Sequence, residues 1–253
     1  MSTLSVIATP IGNLEDITLR ALETLKKSDL VLCEDTRVTK KLFSRHSIAS
    51  RTLSYHAHSK LSRTEEVIQL LKEGKNIALV SDAGTPGISD PGSELVRHIR
   101  ESLMTEIAAG TIKIEAIPGP SALTAALSIA GVPCADFIFL GFLPHKKGRQ
   151  TLFKEIADSE RTVVFYESPH RIMKTLEVLG KEEGEKLREG IPDLGAVGQR
   201  QSGNTFTKRV TVCRELTKIF EEVVSGTPKE VLDYFNSHPD KVRGEFVVIV
   251  SDK

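Results

Sequence analysis

Polar side chains follow several apolar, strand-like runs of this sequence, at the points where those runs end. Glu34 and Asp35 come directly after the run that ends at Cys33, and Asp82 follows the run that ends at Ser81. Carboxylates can bind cations or accept protons, and guanidinium groups can bind phosphates. Any one of these residues could instead cap a helix or form a surface ion pair, but strands of one sheet direct their carboxyl ends toward one crevice. The full set is Asn13, Glu34, Asp35, Arg37, Asp82, Glu167, His170, Arg171, Arg214 and Glu215.

The stretch 79–92 follows one of these runs and reads Leu-Val-Ser-Asp-Ala-Gly-Thr-Pro-Gly-Ile-Ser-Asp-Pro-Gly. Its glycines allow the backbone to approach a ligand closely. Asp90 and Pro91 predict a helix N-cap followed by proline at the first helical position. An ordinary rigid turn is the alternative for one such loop, but similar turns occur at 118–120 and 141–144. Together they favour a ligand site at the ends of the strands.

Several familiar catalytic signatures are absent from the sequence. It contains no Gly-x-x-x-x-Gly-Lys-Ser/Thr, no Gly-x-Gly-x-x-Gly and no Gly-x-Ser-x-Gly. A P-loop, a standard dinucleotide fingerprint and a serine-hydrolase elbow are therefore not supported. His56 and His58 could share one face of a strand, but no third ligand lies nearby in the sequence. We expect solvated or hydrogen-bonded histidines there, and no metal site.

Composition excludes a globally basic nucleic-acid-binding protein, because 34 basic and 34 acidic side chains balance in the 253 residues. An RNA partner would have to be bound by a local basic patch. Cys33, Cys134 and Cys213 are far apart and lie in apolar segments, which predicts buried, reduced thiols. No run is long enough to cross a bilayer and the N-terminus has no signal-peptide pattern, so we expect a soluble, cytoplasmic protein.

Strands and helices alternate in the first half, which predicts a mostly parallel sheet within an α/β fold. Pro118-Gly-Pro120 is the best candidate for a hinge, giving an N-terminal α/β domain over 1–117 and a C-terminal α/β domain over 118–253. The region 181–208 is polar, rich in glycine and charge, and without sustained periodicity. We interpret it as an exposed insertion.

Eight segments resemble the tetrapyrrole methylase superfamily and, more narrowly, the ribosomal RNA small subunit methyltransferase I family. They occur in order over nearly the whole chain. They are Ala8-Thr-Pro-Ile-Gly-Asn-Leu-Glu-Asp-Ile-Thr-Leu-Arg20, Cys33-Glu-Asp-Thr-Arg37, Val80 to Gly92, Ile117-Pro-Gly-Pro-Ser-Ala122, Gly141-Phe-Leu-Pro144, Phe165-Tyr-Glu-Ser-Pro-His-Arg171, Arg214-Glu-Leu-Thr-Lys218 and Gly244-Glu245. Two regions, 101–113 and 181–208, are longer than the family pattern and are interpreted as loop extensions.

The resemblance implies two α/β domains of the class III methyltransferase type, with S-adenosylmethionine in the interdomain cleft and the chain in a homodimer. It implies methylation of a cytidine 2′-oxygen in 16S rRNA of the small ribosomal subunit. The residues that it implies for cofactor binding are Pro10, Ile11, Asp82, Ala83, Gly84, Thr85, Ser121, Ala122, Tyr166 and Glu167.

A base would help to remove the hydroxyl proton of the ribose. Glu167 is the first candidate for this base and Asp35 the second. Arg37, Arg171, Arg214 and Lys218 are the candidates for binding RNA phosphates, with ordinary surface or capping roles as the alternative. Two other functions stay open: methylation of a small tetrapyrrole-like substrate on the same fold, and a non-catalytic protein that binds RNA or the ribosome.

Overall fold

The computed structural model describes residues 1–55, 61–189 and 208–252, and the chain forms two compact units, Met1–Ala122 and Leu123–Lys253. The division lies between Ala122 and Leu123, a few residues after the predicted one at Pro118. His56 and His58 lie outside the described residues, as does 190–207 of the predicted insertion.

The first unit is a parallel sheet of five strands in the order β3-β2-β4-β1-β5. Strand β1 lies between β4 and β5 in this sheet. The strands are β1 (Ser2–Ile7), β2 (Leu30–Cys33), β3 (Thr52–Ser54), β4 (Ile77–Leu79) and β5 (Ile112–Ile117). The helices are α1 (Leu19–Lys27), α2 (Thr36–Arg45), α3 (Leu61–Lys72), α4 (Gly92–Ser102) and α5 (Met104–Ala108).

Apolar side chains cover both faces of this sheet, which explains why the inner strands β2 and β4 are apolar along their whole length. Val67 of α3 and Leu95 of α4 pack against one face. Ala21 of α1 and Phe43 of α2 pack against the other. All five parallel strands therefore end at one edge, and the loops that leave that edge carry the predicted site residues.

The second unit is a mixed sheet in the order β6-β7-β10-β8-β9, in which only β6 and β7 pair in parallel. Its main core includes Phe153, Phe165, Phe235 and Phe246. The strands are β6 (Phe137–Phe142), β7 (Thr162–Glu167), β8 (Lys208–Arg214), β9 (Glu222–Gly226) and β10 (Phe246–Asp252). The helices are α6 (Ala122–Ala130), α7 (Arg149–Asp158), α8 (Ile172–Glu189) and α9 (Pro228–Ser237).

The structure corrects the predicted loop extensions. The region 101–113 contains α5, and the part of the predicted insertion up to Glu189 continues α8. A polar helix carries no apolar stripe, so its sequence has no strong helical period. Strand β9 was not predicted at all, because it pairs at the edge of its sheet and alternates half-buried with exposed residues.

The cysteine prediction holds for two of the three thiols. Cys33 and Cys213 are buried, whereas Cys134 is exposed because it lies in the turn between α6 and β6. Burial raises the pKa of the Cys213 thiol to about 11. Within the described ranges, no helix combines the length and apolarity that a membrane span requires.

Candidate functional site

The segment after β1 and the loop after β4 are bound to each other at the carboxyl edge of the first sheet. The Thr9 amide donates to the Gly84 carbonyl at 2.9 Å, and the Gly84 amide donates to the Thr9 carbonyl at 3.0 Å. The Thr9 hydroxyl donates to the Ser81 carbonyl at 3.1 Å. Gly84 has a φ of +79°, a conformation that glycine adopts at little cost. The glycine loop is thus fixed beside the first strand.

The segment after β5 joins the same arrangement. The Thr85 hydroxyl donates to the Pro120 carbonyl at 3.2 Å. A Cβ atom on Gly119 would lie 3.2 Å from the Cβ of Ala8, which is closer than a side chain tolerates without a shift. Three loops that are far apart in the chain therefore meet at one edge, as the sequence predicted for strand ends.

The predicted residues Pro10, Ile11, Asp82, Ala83, Gly84, Thr85 and Ser121 all belong to these three segments. Pro10 and Ile11 are buried, and Ile11 is the nearest neighbour of Gly84, since a Cβ on that glycine would lie 3.5 Å from its Cγ2. Asp82 and Ala83 are exposed. The loop therefore presents an accessible carboxylate and backbone above an apolar floor.

Asp90 ends the glycine-rich loop, although not as the predicted helix cap. Its carboxylate accepts from the Gly87 amide at 2.8 Å and from the Gly92 amide at 2.7 Å. Helix α4 begins at Gly92, with Pro91 as its N-cap residue and no capping side chain. The Asp90 side chain thus links the backbone on both sides of it and fixes the conformation of the turn.

An acidic cavity of about 400 Å³ lies at the ends of β2, β3 and β4. The Asp82 carboxylate accepts from the Asp35 amide at 2.9 Å, and the Asp82 amide donates to the Glu34 carboxylate at 3.4 Å. These bonds tie the end of β2 to the end of β4. The lining residues are Glu34, Asp35, Thr36, Arg37, Ser54 and Asp82.

Asp35 and Arg37 form an ion pair at the mouth of this cavity. The Asp35 carboxylate caps α2 by accepting from the Arg37 amide at 2.8 Å, and it binds the Arg37 guanidinium at 2.6 Å. The Asp35 hydrogen bond and charge raise the pKa of Arg37. The guanidinium is 87% exposed and the carboxylate 27% exposed. Exposed ion pairs are weak, so another anion can compete for Arg37.

Glu167, at the end of β7, is completely enclosed by partners. Its carboxylate lies 3.0 Å from the Arg149 guanidinium and 2.7 Å from that of Arg171, and its side chain is 0% exposed. The Thr175 hydroxyl donates to it at 2.8 Å and the Ser168 amide at 2.9 Å. A carboxylate with four donors and no solvent contact is poorly suited to take a proton from a substrate. The geometry therefore argues against Glu167 as the base.

The two arginines of this cluster also bind the turn after β6. Arg149 donates to the Pro144 carbonyl at 3.0 Å, and Arg171 donates to the Leu143 carbonyl at 2.8 Å. Arg149 and Thr175 were not predicted, because contacts with a residue 18 or 8 positions away leave no periodic pattern in the sequence.

Tyr166 lies beside Glu167 in an aromatic group. Its ring meets Phe139 at 5.0 Å and Phe142 at 5.3 Å between centroids, both edge to face. Burial raises the pKa of its hydroxyl, which stays protonated at neutral pH. Phe142 is itself exposed, so one side of the group is accessible. The exposed Phe142 ring offers an apolar face that suits a planar ring such as adenine.

Arg214 and Lys218 are occupied by carboxylates of their own unit. Arg214 is 6% exposed and lies 3.5 Å from Glu222. Lys218 contacts Glu215 and Glu245, each at 2.9 Å. These positions do not favour the predicted role in binding phosphates, because a buried or doubly paired cation has little charge to offer.

No cluster of three or more possible metal ligands occurs among residues 1–55, 61–189 and 208–252. Residues 3–232 match the family model for Tetrapyrrole (Corrin/Porphyrin) Methylases. The chain belongs to the tetrapyrrole methylase family. The fold is accordingly the class III methyltransferase fold, with two α/β units.

Two bacterial relatives carry the same name, ribosomal RNA small subunit methyltransferase I. The one from Thermotoga maritima is 40% identical, with 100% of both chains covered. The one from Bacillus subtilis is 39% identical, over 99% of this chain and 75% of its own. Both extend the family match over the whole length of this chain.

Two solved structures share the fold at low sequence identity. The methyltransferase CobJ superposes with a TM-score of 0.63 at 18% identity, covering 100% of this chain and 95% of its own. The cobalt precorrin-4 methyltransferase CbiF superposes with a TM-score of 0.57 at 17% identity, covering 99% and 94%. At this identity they inform on architecture alone.

Proposed function

We propose that this protein transfers a methyl group from S-adenosylmethionine to the 2′-oxygen of a cytidine in 16S rRNA. The relatives that match over the full length are named for methylation of small-subunit rRNA. The observation that carries the proposal is the hydrogen-bonded meeting of three glycine- and proline-rich loops at one sheet edge, through the Thr9–Gly84 and Thr85–Pro120 pairs. Such an edge is where α/β proteins bind their ligands.

The donor set at that edge fits S-adenosylmethionine. The exposed Asp82 carboxylate suits the ammonium group of the methionine part, and the exposed backbone at Ala83 offers polar groups to its carboxylate. Ile11 supplies apolar surface for the adenosine part. The cofactor supplies an activated methyl group, so alignment of the ribose provides much of the acceleration. Pro10, Gly84, Thr85, Ser121 and Ala122 complete the proposed cofactor-binding set.

Asp35 is the better candidate for the base that removes the 2′-hydroxyl proton. It is partly exposed and lines the acidic cavity, whereas Glu167 is enclosed by cations. Its present partner, the exposed Arg37 guanidinium, can move to an RNA phosphate, since phosphate accepts two parallel bonds from arginine. RNA binding through Arg37 would then release the Asp35 carboxylate toward the ribose. Arg171, Arg214 and Lys218 stay in internal ion pairs in this scheme.

The proposal places the protein in the cytoplasm, because rRNA is modified where ribosomes assemble. It also includes a homodimer, which the family resemblance implies. Sedimentation at micromolar concentration tests the dimer directly. A sedimentation coefficient of a single 27.8 kDa chain would contradict it.

The deciding experiment measures methyl transfer from labelled S-adenosylmethionine to small ribosomal subunits isolated from cells that lack the protein. Mapping of ribose methylation then identifies the cytidine. A porphyrinoid acceptor serves as the comparison substrate, and transfer to it alone would refute the RNA proposal. Calorimetry with S-adenosylmethionine and its demethylated product tests the cofactor separately. RNA binding without cofactor uptake or transfer would indicate a non-catalytic binding protein.

Asp35→Asn tests the base without removing the helix cap, because asparagine caps helices about as well as aspartate. We expect methyl transfer to fall by about 10²–10⁴-fold, the usual contribution of general base catalysis. Cofactor binding should not change. Arg37→Ala should weaken RNA binding while leaving cofactor binding intact. Full activity of Asp35→Asn would remove Asp35 from the mechanism.

A further inference from the structure

Three consecutive basic residues, His145, Lys146 and Lys147, form an exposed turn between β6 and α7, here called the basic turn. In the part of the chain that the structure describes, neither lysine side chain has an ion-pair or hydrogen-bond partner. This distinguishes them from Arg171 and Lys218, which contact carboxylates. The positive charge of the basic turn is therefore available to an external anion.

The base of this turn is held rigidly by the cluster around Glu167. Arg149 binds the Pro144 carbonyl and Arg171 binds the Leu143 carbonyl, and both guanidinium groups rest on the same buried carboxylate. The turn ends at Gly148, which has a φ of +81° and no neighbour within 4 Å of a Cβ position. A preorganised loop loses less conformational entropy on binding than a flexible one.

The position of the turn also fits a ligand. Strands β6 and β7 are parallel, so the basic turn leaves the sheet at the same edge as Glu167. Helix α7 starts directly after the turn, and its N-cap Gly148 provides no capping side chain. The positive end of the helix dipole adds to the charge of the lysines.

We propose that the basic turn binds backbone phosphates of the RNA substrate, through Lys146 and Lys147. The inference rests on the proposed function, because it assumes that the substrate is RNA. An exposed lysine is a mobile point charge that recognises phosphate without reading sequence. The turn thus supplies affinity for the RNA backbone. The rigid ion-pair cluster beneath it serves as the support for this contact.

The test compares Lys146→Ala/Lys147→Ala with the wild-type protein in binding a fluorescein-labelled single-stranded oligoribonucleotide at salt concentrations from 50 to 200 mM. Each phosphate contact on a single strand contributes about 0.7 to the slope of log affinity against log salt. Loss of two contacts makes the slope of the variant shallower by about 1.4. Between 50 and 200 mM salt, the affinity of the wild type should therefore fall by a factor about seven times larger than the affinity of the variant does. Lys146→Arg/Lys147→Arg should keep the wild-type slope.

The control is Lys26→Ala/Lys27→Ala, an exposed lysine pair at the end of α1 in which Lys27 contacts Glu23 at 3.8 Å. It removes the same number of positive charges near the amino end of β2 and should leave the slope unchanged. Equal slopes and affinities for the wild type and the Lys146/Lys147 variant would overturn the inference and leave the proposed function standing. Failure of the wild type to bind RNA or methylate subunits would refute the proposed function itself.

Discussion

Replacement of Glu167 by glutamine tests whether this residue is structural, as the geometry indicates, or catalytic. The change keeps the shape of the side chain and removes its charge. It leaves the Arg149 and Arg171 guanidinium groups, 13% and 18% exposed, without their common counter-charge. Removing one partner of a buried ion pair costs about 3–5 kcal/mol. Because both arginines keep some solvent contact, we expect a loss of about 2–4 kcal/mol in the free energy of unfolding.

Equilibrium unfolding in urea measures this loss. For an m value of about 2 kcal/mol per molar urea, a loss of 3 kcal/mol shifts the midpoint down by about 1.5 M. Glu15→Gln is the control, since Glu15 pairs with Arg45 and both side chains are more than half exposed. Its midpoint should shift far less, because solvent screens exposed pairs.

The two interpretations of Glu167 lead to opposite results. A structural role predicts lower stability together with looser attachment of the basic turn and weaker RNA binding. A role as the base predicts unchanged unfolding with a large loss of methyl transfer. A wild-type midpoint for Glu167→Gln, combined with a hundredfold drop in transfer, would refute our interpretation and return Glu167 to the reaction.

Three further predictions concern stability and thiol chemistry. Gly244→Ala should lower the free energy of unfolding by about 1–3 kcal/mol, because φ is +88° and the new Cβ would overlap the Glu215 carboxylate. Gly110→Ala, at φ +71° with open space around it, should lower the free energy of unfolding by less in the same urea assay. Equal losses for the two variants would contradict the role assigned to the overlap with Glu215. Cys213 binds its proton more tightly in the folded state, so its contribution to stability should be constant below pH 9 and fall by about 2–3 kcal/mol as the pH rises to about 11, a fall that Cys213→Ala should lack. One thiol, that of Cys134, should react with a disulfide reagent in the native protein at pH 8, and all three after unfolding; three fast thiols in the native state would contradict the assigned burial.

The order of the elements was predictable because buried strands and amphipathic helices leave local patterns. The strand-like runs that end at Cys33 and at Ser81 correspond to β2 and to β4, which ends two residues earlier than predicted. Glycine and proline residues likewise predicted the loops at 79–92 and 118–120, which meet at the sheet edge. Helix starts were less predictable: Asp90 was expected to cap α4, but Pro91 is the N-cap residue there.

The state of each charged side chain could not be predicted, because it depends on partners that are distant in the sequence. Glu167 meets Arg149 across 18 residues, and Lys218 meets Glu245 across 27. No periodicity encodes such pairs. A charged residue that is expected at the surface from the sequence can therefore form a buried ion pair in the folded protein. Glu167 was therefore predicted as the first candidate for the base and Lys218 as a candidate for binding phosphate, without knowledge of these partners.

The sequence by itself determined the family, the alternation of strands and helices, and the glycine- and proline-rich loops at the strand ends, because local pattern and glycine chemistry express these directly. Only the tertiary structure decided which charges remain available. It placed Arg171 and Lys218 against carboxylates of their own unit. It left Lys146 and Lys147, which directly follow the predicted glycine- and proline-containing turn at 141–144, exposed to solvent.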